Sequence, residues 1–141
     1  MTELELCRKA SEAKQKAYAP YSGFCVGAAL LTTAGTVFTG CNVENAAFSP
    51  TICAERTALV KAVSQGERHF AMMAVVGGKG EEIASVTPPC GVCRQVLAEF
   101  CSPDFPILLV QDEDTYVRCT LGELLPQAFG PGFVVESSLQ T

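Results

Sequence analysis

Two short stretches carry residue types at spacings that suit metal chemistry. One is Cys53-Ala54-Glu55 and the other is Pro89-Cys90-Gly91-Val92-Cys93. Cys90 and Cys93 stand three apart, so on a helix they share one face. A helix N-terminus favours a thiolate through its dipole and its free N–H groups. Three thiolates from two such termini would hold Zn²⁺. The number three is informative, because a structural zinc is usually closed by four protein ligands and a catalytic one keeps a position for water. The chain has no second C-x-x-C, and His69 is its only histidine. A fourth protein ligand would have to be Cys25, Cys41 or Cys101, none at a customary spacing. Water on an open Zn²⁺ has its pKa lowered from about 15.7 towards about 7. Glu55 lies two residues beyond Cys53 and so points elsewhere than the ligand, which suits a proton shuttle. C-x-x-C alone also fits a redox pair or a zinc ribbon; the upstream C-x-E favours the catalytic site.

For the motifs to meet, each must open a helix next to a sheet strand. Thr2-x-x-Glu5 forms a capping box, and apolar residues at helical spacing predict a first helix from about Glu3 to Tyr18, stopped by Pro20. Val26–Thr32 and Thr36–Asn42, around Ala34-Gly35, read as a β-hairpin. Ile52–Ser64 reads as a second helix closed by Gly66. Phe70–Val76 is an apolar run typical of a strand buried on both faces. The glycines of GGKGEE mark a loop. Gly91–Phe100 reads as a third helix. Ile107–Gln111 reads as a central strand, Tyr116–Cys119 as a short one, and Leu121–Leu125 as a final short helix. This alternation predicts an α/β/α sandwich: a mixed five-stranded sheet with helices on both faces, forming a single domain over residues 1–141.

Composition narrows the partners. The 141 residues carry a net charge of −5 and no Lys/Arg-rich block, which argues against nucleic acid and for a small-molecule substrate. No apolar run reaches the roughly 18 residues needed to span a bilayer, and the N-terminal stretch lacks the pattern of a secretory leader. The expected location is the cytoplasm. There the eight cysteines are reduced: three as ligands, with Cys7, Cys25, Cys41, Cys101 and Cys119 as small apolar residues. His69 reads as a surface residue.

C53-A-E55 with P89-C-G-V-C93 matches the three-cysteine form of the zinc deaminase signature. Beyond it, the stretches AYAPYSGFCVGAALLT, TGCNVENAAFSPTICAERTAL, PPCGVCRQVLAEF and TLGELLPQAFGP resemble the small homotetrameric members of the cytidine deaminase family over almost the whole chain. The resemblance implies hydrolytic deamination of a pyrimidine nucleoside with one Zn²⁺ per subunit. By position it makes Cys53, Cys90 and Cys93 the ligands and Glu55 the general acid and base. Asn42 and Glu44 match residues that hydrogen-bond ribose hydroxyls. Phe24 matches a pyrimidine-pocket aromatic, Ala54 and Phe48 fall in the same substrate site, and Phe129 matches an aromatic lent by a neighbouring subunit. Arg56 matches a residue that hydrogen-bonds the ligand sulfurs, where it would offset the −1 charge of a three-thiolate zinc.

Two positions depart from the family pattern. Phe48 stands where Tyr is frequent, and Pro88 where Ser is frequent. Three other readings compete: a deaminase of another aminopyrimidine such as blasticidin S, a polynucleotide editor, and a non-catalytic zinc module. Asn42-x-Glu44 speaks against the first, the acidic balance against the second, and Glu55 against the third.

Overall fold

The computed structural model describes residues 1–135. Helix α1 (Glu3–Lys14) opens on its capping box, with the Thr2 hydroxyl accepting from the Glu5 N–H at 3.1 Å. It is followed by β1 (Phe24–Thr32), β2 (Val37–Cys41), α2 (Ala54–Ser64), β3 (Phe70–Lys79), α3 (Gly91–Phe100), β4 (Pro106–Val110), β5 (Tyr116–Thr120), α4 (Leu121–Leu124) and a 3₁₀ turn at Pro131–Phe133.

The five strands form one mixed sheet in the order β2-β1-β3-β4-β5. Only β3 and β4 run parallel, with α3 as their crossover. Strand β1 alternates its burial between two layers. Ala28 and Leu30 pack with Leu59, Met73, Leu97 and Ile107 on the α2/α3/α4 side. Ala29 and Leu31 pack with Leu6, Ala10, Val76 and Leu108 on the α1 side. Each fully buried Leu or Met of this kind contributes about 2 kcal/mol of transfer free energy. The expected α/β/α sandwich is therefore present, and among the described residues no helix is long and apolar enough to cross a membrane.

The register explains why two helix N-termini meet. The first residues of β1 pair antiparallel with the last of β2 (Gly27 with Cys41) and with the last of β3 (Phe24 with Lys79). The chain thus leaves β2 and β3 at one end of the sheet, and α2 and α3 both begin there. Gly40 lets α2 lie close on β2, since a Cβ at this position would sit 2.5 Å from the Ala58 nitrogen and 2.6 Å from the Ala54 oxygen.

Several boundaries differ from the sequence expectation. Helix α1 stops at Lys14 instead of Tyr18, because the Tyr18 backbone pairs with residues 42–44: its N–H donates to the Asn42 carbonyl at 3.0 Å and its carbonyl accepts from Glu44 at 2.8 Å. Helix α2 starts at Ala54 instead of Ile52, because Ile52 and Val43 exchange backbone hydrogen bonds at 3.0 Å. Strand β3 continues through Gly77 and Gly78, and β1 starts two residues early to pair with it. These glycines serve a close backbone approach rather than a turn: a Cβ on Gly78 would lie 2.0 Å from the Glu82 carbonyl oxygen.

Candidate metal centre and its surroundings

Starting α2 at Ala54 makes Cys53 its N-cap, and Cys90 is the N-cap of α3. Cys93 sits in the first turn of α3, fully buried. The three sulfurs lie within 4.8 Å of one another, with Cys53 Sγ 3.6 Å and Cys93 Sγ 3.3 Å from Cys90 Sγ. Sulfurs tetrahedrally bound to one zinc at 2.3 Å stand about 3.8 Å apart, so the spacing fits a shared ion. Among the described residues no other group of three Cys, His, Asp or Glu side chains has this arrangement.

The electrostatics favour anionic sulfur. The Cys93 N–H points at Cys90 Sγ at 3.4 Å. Arg56, three residues along α2, donates from Nη2 to Cys53 Sγ at 3.5 Å. A hydrogen bond from the Cys93 thiol, helped by Arg56 and Cys90, brings the Cys53 thiol down to about 5. The Cys93 thiol, which keeps the shared proton in a buried position, is pushed up.

Glu55 is 4% exposed, and its Oε1 is buried with no hydrogen-bond partner. Burial is the main reason that its carboxyl is pushed up to about 7. A carboxyl poised there exchanges a proton readily near neutral pH. A buried polar atom without a partner is uncommon and marks a place for another group.

The other expected residues are positioned unevenly. Asn42 is buried and spends part of its amide on β1: Oδ1 accepts from Val26 N–H at 2.8 Å, and Nδ2 donates to the Phe24 carbonyl at 2.9 Å. Phe24 is half-buried beside Gly77. Glu44 and Phe48 line a cavity of about 420 Å³ with Tyr21, Ser22 and Thr51. Phe48 is 71% exposed and makes an edge contact with Tyr21. Ala54 is fully buried in the first turn of α2. Phe129 stands apart: it is 60% exposed, stacks on Phe133 at 5.2 Å, and lines a separate, largely apolar cavity of about 640 Å³. A single chain does not bring Phe129 to the cavity holding Glu44. Pro88 is exposed, while Pro89 is buried. His69 is exposed, as expected for a surface residue.

Sequence reasoning missed two contributors. Arg94 donates to the Pro89 carbonyl at 2.7 Å and to the Leu124 carbonyl at 2.6 Å, tying the cysteine loop to α4. Its only sequence signal is its place directly after Cys93. Ser22 grips Glu44, and nothing in the sequence pairs two residues so far apart.

The fold and its sulfur donor set define a zinc enzyme. The chain belongs to the cytidine and deoxycytidylate deaminase family: residues 1–109 match the family described as "Cytidine and deoxycytidylate deaminase zinc-binding region". The reaction of that family is zinc-dependent hydrolytic deamination. A cytidine deaminase of Sporosarcina psychrophila is 47% identical over 125 residues, 89% of each chain. A crystal structure of cytidine deaminase from Burkholderia pseudomallei superposes with a TM-score of 0.84 at 46% identity, covering 92% of this chain and all of that one. A blasticidin-S deaminase of Bacillus cereus is more distant, at 32% identity over 72% of this chain and 74% of its own length.

Proposed function

We propose that this chain hydrolyses cytidine and deoxycytidine to uridine and deoxyuridine plus ammonia, as a step of pyrimidine salvage. The observation that carries the mechanism is the buried Glu55 carboxyl, its Oε1 without a hydrogen-bond partner, beside three converging sulfurs.

Cys53, Cys90 and Cys93 would hold the zinc. When bound, zinc supplies a Lewis acid that makes water acidic enough to act near neutral pH. Glu55 accepts one proton from water and delivers it to N3 of the pyrimidine, which leaves C4 more electrophilic. The water oxygen joins C4, and Glu55 relays the second proton from that oxygen to the exocyclic amine. The C4–N bond breaks, ammonia leaves, and the oxygen stays as the uracil carbonyl. Arg56 offsets the negative charge of three thiolates. Asn42 and Glu44 read the ribose hydroxyls, which supports a nucleoside over blasticidin S. Phe24, Phe48 and Ala54 shape the pyrimidine pocket.

The working assembly in this reading is a homotetramer that lends Phe129 to a neighbouring site. Its support is the exposed apolar run of Phe129, Phe133 and Val134. Residues 1–141 act as one catalytic domain, supported by the single sheet that both core layers share. Eight unpaired cysteines support a reducing, cytoplasmic location.

The test follows the ultraviolet absorbance of cytidine mixed with the zinc-loaded protein, beside Glu55→Ala. Conversion by the wild type only, with zinc retained in the variant, is the expected result. The loss should reach at least about 10³-fold, since one acid–base step contributes about 10² to 10⁴ and Glu55 acts twice. Near-normal turnover in the variant overturns the mechanism. No conversion by the zinc-loaded wild type rejects cytidine as substrate.

A further inference from the structure

Glu44 is held by the chain on three sides. Its Oε1 accepts the N–H of Tyr21 at 2.9 Å and the N–H of Ser22 at 3.1 Å, and the Ser22 hydroxyl donates to Oε2. The same Ser22 oxygen accepts the N–H of Phe24 at 3.0 Å. A carboxylate offers about four acceptor positions. Three are filled, and the remaining one is on Oε2, beside the Ser22 hydroxyl. Asn42 has spent one lone pair and one N–H on β1, which leaves one of each. The free capacity of the pair is two acceptor positions and one donor, a match for two adjacent hydroxyls.

We infer that Ser22 is a positioning residue for substrate binding: its hydroxyl orients Glu44 so that the last free position of the carboxylate meets a sugar hydroxyl, and ties it to the Phe24 peptide on the base side. The inference rests on the nucleoside reading above. The Phe24 peptide is gripped at both ends, its N–H by Ser22 and its carbonyl by Asn42. Sugar recognition and the base pocket thus share one hydrogen-bonded unit. The three donors, Ser22 foremost, also hold the Glu44 carboxyl below its usual range, so it is an obligate acceptor at neutral pH. Without the Ser22 hydroxyl, Oε2 loses its fixed partner and the carboxylate pivots about its two backbone donors.

The experiment compares wild type, Ser22→Ala and Ser22→Thr, zinc-loaded, on cytidine and on 2′,3′-dideoxycytidine, which lacks both hydroxyls. Loss of one hydrogen bond to a charged group corresponds to about 10-fold. Ser22→Ala should raise KM for cytidine by about that factor with kcat nearly unchanged, the pattern of lost uniform binding. Its loss of kcat/KM on dideoxycytidine should be clearly smaller, because only the Phe24 N–H contact is lost there and no bond to the missing hydroxyls remains to be weakened. Ser22→Thr, which keeps the hydroxyl, should recover most of the loss. Equal losses on both substrates overturn the inference, because a merely structural role does not distinguish them. A second readout needs no turnover: the ¹³Cδ resonance of Glu44 titrated without substrate. Its midpoint should rise in Ser22→Ala and not in Ser22→Thr; an unchanged midpoint also overturns the inference. Failure of wild type to deaminate cytidine rejects the functional reading instead, and the titration still decides whether Ser22 holds Glu44.

Discussion

Arg56 Nη2 lies 3.5 Å from Cys53 Sγ, one helical turn away on the same α2 N-terminus. The side chain that follows the buried glutamate in sequence is therefore aimed at a sulfur while Glu55 itself points into an unpartnered, buried position. Arg56→Gln removes the cation and leaves a polar side chain. It should weaken zinc binding by about 10- to 100-fold, the usual cost of losing a group that orients or neutralises a metal ligand. Competition with a chromophoric chelator measures this, and unchanged affinity would mean that the guanidinium does not serve the metal.

Cys53→Ala should abolish zinc retention and lower the thermal midpoint, because metal binding and folding are coupled when ligands come from separate segments. Here they come from the N-termini of two helices that follow different strands. Metal analysis of the purified variant checks it; a full equivalent of zinc would require a different ligand.

Stability of the metal-free protein should carry a pH signature of Glu55. The folded carboxyl titrates at about 7 against an ordinary value of 4.5. Between those values the folded state keeps a proton that the unfolded state releases, so stability falls as pH rises through that window. Glu55→Gln stays neutral and escapes the penalty. Its stability relative to wild type should be level near pH 4.5 and rise to about 3 kcal/mol in its favour by pH 8. Urea unfolding in chelator at a series of pH values gives the difference directly. A pH-independent difference would contradict a buried, unpartnered carboxyl.

Gly40→Ala should act at a distance from the sulfurs. The added Cβ would meet the α2 backbone at 2.5 Å, which forces the helix off β2. Overpacking of this kind costs about 1–3 kcal/mol, and a shifted α2 carries Cys53 with it. Both a lower unfolding midpoint and weaker zinc binding are expected. A drop in stability with zinc affinity intact would show that the Cys53 end of α2 is held by the Ile52–Val43 pairing alone.

The metal donors were legible in the sequence because their chemistry is local. Cys90 and Cys93 sit within one helical turn, Cys53 and Glu55 flank another helix start, and capping and periodicity are also short-range properties. The sandwich was legible for the same reason, since each strand and helix announces its own pattern of apolar residues. What only the tertiary structure decided are pairings between residues far apart in the chain. Tyr18 leaves the helix because residues 42–44 offer its backbone hydrogen bonds. Gly77 and Gly78 are strand because β1 pairs with them. Ser22 acquires a function only where the fold brings Glu44 to it. The raised affinity of Glu55 for its proton is likewise invisible in the letters C-A-E: it arises from burial, which is a property of everything packed around a residue and of nothing in its immediate sequence.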